Sequence, residues 1–387
     1  MAGAEVGVDG TCRRRGATQL ALTFRQGRAG ISRGMSAPLL TVCVCTHDRP
    51  DDLRRCLDGL RAQRVAADAL DLLVIDSASA PEAAVAARAV AAAAGARLAR
   101  VEAAGLSLAR NAGAQAAQAA WIAYLDDDAV PAPDWAEQAL AALAGPAPPA
   151  LLGGRVLPVW EAPLPPWWPA RLRGVLSIVE AEGAGAFGSP ALPPGLEPCG
   201  ANLLVHVPSL RAAGGFCAAI GRQGTRLLSD EEVHLAWRLR ARGQATCYDS
   251  RLVVYHRIPA ERLTPAWLLR RLHWQGVSAV RTRRLLDAGG SVWRELPRRL
   301  AVAVLCAPAA LLPRANTRLL GARWRFAYAS GFLRAALARP GARAIAAAAA
   351  GVGVHGGVAS GCVAPGGVVP GGVVPGGVAP GTALPQA

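Results

Sequence analysis

Lysine is absent from this chain of 387 residues, so all 42 basic side chains are arginine. With abundant Ala, Gly and Pro, this reads as the codon bias of a GC-rich genome more than as a function. The nine cysteines include no CxxC pair, which excludes the usual zinc-site spacing. Cys43 and Cys45 alternate along a stretch that reads as a strand. The cysteines are therefore read as small buried hydrophobes in a reducing cytoplasm, not as a disulfide framework. No uninterrupted run of about 18 apolar residues is present to span a bilayer. The nearest stretch, residues 301–312 (AVAVLCAPAALL), is short, contains Pro308 and is bounded by Arg299 and Arg314. It suits either an anchor lying in a membrane interface or an ordinary packed helix. No secretory leader is expected, because the apolar run at 20–24 is too short and no small-residue cleavage site follows it.

The length suffices for one large or two medium domains with ample core. Apolar residues make up 52%, a figure inflated by alanine. The net charge of +15 is unevenly placed. Across 257–345, seventeen arginines stand against Glu261, Asp287 and Glu295, a net +14. Such a segment attracts phosphate-bearing partners, nucleic acid or anionic lipid.

Along the chain, residues 39–45 (LLTVCVC) form a continuous apolar, β-branched run, as a strand covered on both faces does. Pro50 then stands at a helical N1, and Leu53, Cys56, Leu57 and Leu60 line one face. Further strands are predicted at 70–75 and 98–101, with a helix at 83–93 between them and an alanine-rich helix after Gly105. This alternation indicates a parallel sheet built from right-handed crossovers. Residues 121–128 (WIAYLDDD) read as a buried strand that stops at three carboxylates. In an open α/β sheet, ligands bind beyond the carboxyl ends of the strands. Asp126 and Asp128 lie two apart, so an extended segment would put them on one face. There they suit a hard divalent cation that also holds phosphate oxygens. The same acids would suit a helix N-terminus, since Pro131, Pro133 and Asp134 follow.

The second half predicts strands at 151–159, 201–207 and 245–255, a helix at 229–242 and mostly helices from 265 to 339. Residues 160–199 are Pro- and Gly-rich, with Trp160, Trp167 and Trp168, and read as a long loop with short helices, a kind of loop that tends to be functional. From Gly356 the chain falls into Val-Val-Pro-Gly-Gly units, which predict a disordered, elastin-like tail. The GxGxxG match at 351–356 neither follows a strand nor opens a helix, so it is no dinucleotide site.

The segments LLTVCVCTHDRP, VIDSAS, LSLARNAG, YLDDDAVPAPDW, CGANLL, GGF and DEEVHLAWRLRARG occur in the order and spacing of a family 2 glycosyltransferase. The stretch from about Leu39 to Arg284 resembles that family. The resemblance implies an α/β protein of the GT-A kind, a Rossmann-like mixed sheet flanked by helices, with a helical C-terminal extension and disordered ends. It implies a GT-A domain at 37–260, divided into a nucleotide-sugar-binding half at 37–150 and an acceptor half at 151–260. A basic helical region at 261–345 and a low-complexity tail at 346–387 would follow. Residues 1–36 would be a disordered extension or the product of a mis-set start codon ahead of Met35.

By the same resemblance, Thr46, His47 and Arg49 cradle the nucleoside, and Asp76 meets the base or ribose, with Ser77 where the family often has a second acid. Arg110 and Asn111 lie beside the nucleotide. Asp126 and Asp128, with Asp127 between them, match the DxD that holds Mg²⁺ or Mn²⁺, and His256 is either a further metal ligand or a satisfied loop histidine. Leu235 and Arg238 set the register of the acidic helix start, so Glu231 and Glu232 fall on the family's Glu-Asp pair. Glu232 then takes the place of the catalytic aspartate, with Asp230 as the alternative base; three acids there also suit the helix dipole. Asn202 resembles a residue on the acceptor side, and Trp167 and Trp168 either stack on a sugar or simply pack.

The function expected is a metal-dependent, inverting transfer of one sugar from a nucleotide-diphosphate donor to a saccharide or lipid-linked acceptor in cell-envelope polysaccharide or glycolipid assembly. The enzyme is expected in the cytoplasm, with its basic helices in peripheral contact with the anionic inner face of the plasma membrane. A sugar-phosphate nucleotidyltransferase is the competing enzyme class, but Cys-Thr-His-Asp-Arg-Pro after the first strand is not its Gly- and Lys/Arg-rich phosphate loop. Nucleic acid is not an expected partner, because the arginines are not interleaved with a recognisable recognition module.

Overall fold

The computed structural model describes residues 38–66, 68–286, 289–312 and 319–338. The expected N-terminal extension at 1–36 and the low-complexity tail at 346–387 lie outside the described residues.

A nine-stranded sheet forms the centre. Strand β1 (Leu40–Thr46) is buried along its whole length and alternates between two cores. Cys43 and Cys45 face one, while Leu40, Val42 and Val44 face the other, as period-two side chains must. Parallel to it run β2 (Leu70–Ser77) on one side and β4 (Trp121–Asp126) on the other, with β3 (Arg97–Val101) outside β2. The expected parallel sheet therefore holds for these four strands. Beyond them the sheet is mixed, as the family resemblance implied. Strand β8 (Asn202–His206) pairs antiparallel with β4 and with β6 (Leu151–Trp160), and β6 runs parallel to β9 (Thr246–Ile258). Two three-residue strands, β5 (Ala129–Pro131) and β7 (Ala184–Ala186), both pair with β9; they are too short to leave a periodic signal.

Helices α1 (Pro50–Arg61), α2 (Pro81–Ala93) and α4 (Trp135–Leu143) bury their apolar stripes against one face. The other face is covered by α3 (Leu106–Ala116), a short α5 (Val207–Ala212) and α6 (Glu231–Arg240). In α1, Pro50 opens the helix, Asp51 and Asp52 occupy the first turn and Arg61 the last, each suited to the dipole there.

A third core belongs to α7 (Pro265–Leu285), α8 (Gly289–Leu311) and α9 (Leu320–Leu337). The segment expected as a long loop reaches into it: a 3₁₀ turn at Ala170–Leu176 contributes Leu172, Val175 and Leu176, and Trp168 packs beside them. Helices α7 and α9 meet at two glycines. A side chain on Gly276 would strike the backbone of Tyr328 and Phe332, and one on Gly331 would strike the carbonyl of His273. Only bare backbone permits that approach. Gly331→Ala is accordingly expected to force the helices apart and to destabilise the protein by about 1–3 kcal/mol, the usual range for overpacking. Chemical denaturation of the variant against the parent chain measures it, and an unchanged midpoint refutes the close contact.

Candidate active site

From β1 the chain builds β2 and β3 on one side and returns to β4 on the other, so the switch of direction falls between β1 and β4. Open α/β sheets place their ligand crevice at such a point, beyond the carboxyl ends of the strands. A cleft of about 480 Å³ opens there, floored by Cys45, Thr46, Ser77 and Asp126. Its walls come from the loop after β1, the start of α3, residues 195–201, the acidic start of α6 and one side of α7.

At the strand end, the three aspartates part company. Strand β4 stops at Asp126 and the chain turns through Asp127 and Asp128. The expectation that Asp126 and Asp128 share one face of an extended segment is not met, because the extended backbone ends before the second of them. Asp126 lines the cleft with its side chain 29% exposed, and Arg110 approaches it at 3.4 Å. Asp127 also lines the cleft but is buried, accepting from the Thr46 hydroxyl at 2.9 Å and facing Arg49 at 3.1 Å. Burial, reinforced by the neighbouring Asp128, pushes its carboxyl up to about 7 in spite of Arg49. Asp128 lies beneath, tied to Arg49 at 2.8 Å, His256 Nε2 at 3.2 Å and Arg262 at 3.3 Å. Burial opposes its charge, yet His256, Arg262 and Arg49 hold it well below the usual carboxylate range.

Across the cleft, Arg110 ties the strand end to α6. Its Nη1 bonds Glu231 at 2.7 Å, its guanidinium lies over the Tyr124 and Phe216 rings, and the Tyr124 hydroxyl donates to its carbonyl. Burial weighs against the cation, but Glu231 and Asp126 outweigh it and raise its pKa. A side chain on Gly200 would collide with this guanidinium, which accounts for the glycine in Cys-Gly-Ala-Asn. With Glu231 engaged by Arg110, Glu232 is left with one 3.3 Å bond from the Gly200 amide and a second oxygen that is buried without a partner. Burial foremost, then the Glu231 charge, pushes Glu232 up to about 8. Asp230 stands at the head of α6 in a left-handed conformation (φ 77°) and bonds Ser229 and Gln275. Ser177, another residue at positive φ, lines the same cleft. Such backbone strain collects at ligand sites.

The other sequence-predicted residues divide. Thr46, His47 and Arg49 line the cleft, with His47 Nδ1 2.7 Å from the Ser77 carbonyl. Asp76 lies beside it instead, pairing with Arg100 and accepting from the Ser79 amide. Asn111 clasps the Phe216 amide and carbonyl away from the cleft. Asn202 is a buried brace, accepting from Trp135 Nε1 at 3.0 Å and donating to the Arg155 and Leu252 carbonyls. Trp167 and Trp168 pack on one another and on the third core, and neither lines the cleft. Sequence reasoning missed Arg222, Arg271 and Gln275, which do line it. A signal existed for Arg271: it sits three residues after Leu268 and beside Leu272, on the stripe that α7 buries.

Residues 41–167 match the family model described as Glycosyl transferase family 2. Over that segment the chain is similar to this family. It is 26% identical over 184 residues to the glucosyl-dolichyl phosphate glucuronosyltransferase of Haloferax volcanii, a match covering 47% of this chain and 56% of that protein. The chain thus spans little more than half of this relative. Among solved structures it is similar to the mannosyltransferase PcManGT from Pyrobaculum calidifontis in complex with GDP-Man and Mn²⁺. That similarity has a TM-score of 0.46 at 22% identity and covers 82% of this chain and 80% of the other. It is also similar to S. aureus TarS in complex with UDP, with a TM-score of 0.44 at 15% identity, covering 76% and 89%.

Among the described residues, no three His, Cys, Asp or Glu side chains converge closely enough to cage a metal ion. Mg²⁺, however, is ordinarily held by one or two carboxylates plus substrate phosphates. Asp126, open to the cleft, fits that sharing arrangement; Asp128 and His256 are engaged with each other and do not line the cleft. Arg110 is the group the site most depends on. Arg110→Met should leave Glu231 buried without its cation and cost about 3–5 kcal/mol, as breaking buried pairs does. A thermal midpoint equal to that of the parent chain rules this out.

Proposed function

We propose that this chain transfers one sugar, with inversion and with a divalent cation, from a nucleotide-diphosphate donor to a hydroxyl of a saccharide or lipid-linked acceptor in cell-envelope assembly. The observation that carries the reading is the unpartnered Glu232 carboxylate oxygen in the same cleft as the Asp126 turn. In this reading Thr46, His47 and Arg49 hold the nucleoside side of the donor, and Asp126, with Asp128 and His256 in support, would hold Mg²⁺ or Mn²⁺. The bound ion supplies Lewis-acid neutralisation of the departing diphosphate. Glu232 takes the proton from the acceptor hydroxyl as its oxygen attacks the anomeric carbon, and the sugar–phosphate bond breaks on the opposite side. A single displacement of this kind inverts the anomeric centre.

Two measurements test the assignment together. Either UDP or GDP should raise the thermal midpoint only when Mn²⁺ is present, because a ligand that binds the folded state alone stabilises it. Glu232→Gln should keep that shift while lowering turnover by about 10²–10⁴-fold, the usual contribution of a positioned base. With the base raised to about 8, its active, ionised form grows with pH, so kcat/KM should climb through neutrality and level off above pH 8. Metal-independent stabilisation, or a Glu232→Gln enzyme with full turnover, refutes the reading.

The membrane side of the proposal rests on α8. Among the described residues, no helix is long and apolar enough to cross a membrane. Yet Trp293, Leu300, Val304 and Leu311 follow one another at seven- and four-residue steps on a single face of α8, all more than half exposed. Arg294 and Arg298 lie to one side of that face. An apolar stripe edged by arginine suits the interface of an anionic bilayer. The protein should sediment with phosphatidylglycerol vesicles and far less with phosphatidylcholine. Leu300→Glu combined with Val304→Glu should weaken that binding by about tenfold or more. Equal sedimentation of the variant and the parent chain removes α8 from the contact.

A further inference from the structure

We infer that Arg271, with Arg222 in the same cleft, is an anion subsite on the acceptor side, taking a phosphate group that the acceptor carries close to the hydroxyl facing Glu232. The inference rests on the glycosyltransferase reading above and adds the chemical class of the acceptor.

Most charges around the cleft already have partners. Arg49 is paired with Asp127 and Asp128, and Arg110 with Glu231 and Asp126. Arg283 meets Glu295 at 2.9 Å, and Glu197 meets Arg240 at 3.3 Å. Two cations are left over. Among the described residues, neither Arg222 nor Arg271 has a carboxylate within 4.0 Å. Arg271 is only 9% exposed, and its guanidinium makes a single long contact, Nη1 to the Leu227 carbonyl at 3.5 Å. Burial, with the like charge of Arg222 added, brings its pKa down to about 10. Asp230, Glu232 and Glu231 act on it only from beyond ion-pair distance; a buried guanidinium without a paired carboxylate is unfavourable, and a second cation nearby makes it more so. Such a pair is satisfied by an anion from outside.

Position assigns that anion to the acceptor. One turn along α7 from Arg271, Gln275 bonds Asp230, the residue that leads into Glu231 and Glu232. The subsite therefore faces the proposed base from the α7 wall, whereas the donor's phosphates are drawn to the Asp126 turn at the strand ends. Arginine also suits the task by chemistry, since its planar fork meets phosphate oxygens two at a time. Beside it, Leu227, Leu228, Val175 and Ile178 present apolar lining. A phosphate joined to an apolar chain would satisfy both surfaces; a soluble sugar phosphate would satisfy the arginines alone.

Titration calorimetry of the full chain tests this with four probes: dodecyl phosphate below its micelle concentration, glucose 1-phosphate, and UDP and GDP each with Mn²⁺. The parent protein should bind at least one phosphate probe, and Arg271→Gln should weaken that binding by about tenfold, the scale of a lost charge-assisted hydrogen bond. The same variant should bind the nucleoside diphosphate unchanged and melt no lower than the parent, because an uncompensated buried charge has been removed. Tighter binding of dodecyl phosphate identifies a lipid-linked phosphate, and tighter binding of glucose 1-phosphate a soluble one. Phosphate probes that ignore Arg271→Gln, or that fail to bind the parent protein, overturn the subsite. Equal loss of nucleoside diphosphate binding overturns it too, by placing Arg271 with the donor. Failure of the parent protein to bind either nucleoside diphosphate counts instead against the transferase reading itself, and the acceptor assignment falls with it.

Discussion

Arg110 is held between Asp126, where a central strand ends, and Glu231, 121 residues beyond Arg110 itself, where the acidic helix begins. A guanidinium that deep in the protein would be unfavourable by itself. It is tolerated because two carboxylates, two aromatic rings and a glycine with no side chain surround it. This one cation joins the strand ends to the helix that carries Glu232. By engaging Glu231, it also leaves the next carboxylate without an ion pair of its own. The geometry of the cleft and the state of its acid both follow from that pairing.

The same division occurs at each end of the cleft. Of two adjacent aspartates, Asp128 is surrounded by His256, Arg49 and Arg262 and stays charged, whereas burial moves Asp127 toward neutrality at about 7. Of two adjacent glutamates, Glu231 has its arginine and Glu232 is pushed up to about 8. Neighbouring acids in unlike surroundings take unlike protonation states, the usual way a site separates an acid–base group from a permanently charged one. The C-terminal helices share in this. Helix α7 lines the cleft with Arg271 and Gln275, and it is held in place by a glycine contact with α9 and by the core that Trp168 and Leu172 help to fill.

Much of this was legible in the residues. The all-apolar LTVCVCT marks a strand buried on both faces, Pro50 and the Leu53–Leu60 stripe mark the helix that follows, and three aspartates after WIAYL mark a strand end facing a crevice. The motif order pointed to the glycosyltransferase family. Side-chain surroundings were not legible. Asn202 reads as a site residue by motif, yet its amide is consumed by Trp135 and two carbonyls, and the tryptophan pair lies in a core because the loop before it folds against α7.

Sequence alone determined the longer strands and most of the longer helices, and it placed Asp126 and Glu232 in segments that the fold brings to one cleft, because periodicity and turn residues act over a few neighbours. Tertiary structure decided which carboxylate is free and which arginine lacks a partner. Those properties depend on burial and on charges more than a hundred residues away along the chain, as with Arg110 and Glu231. No local pattern encodes that distance, and only the closed fold sets it.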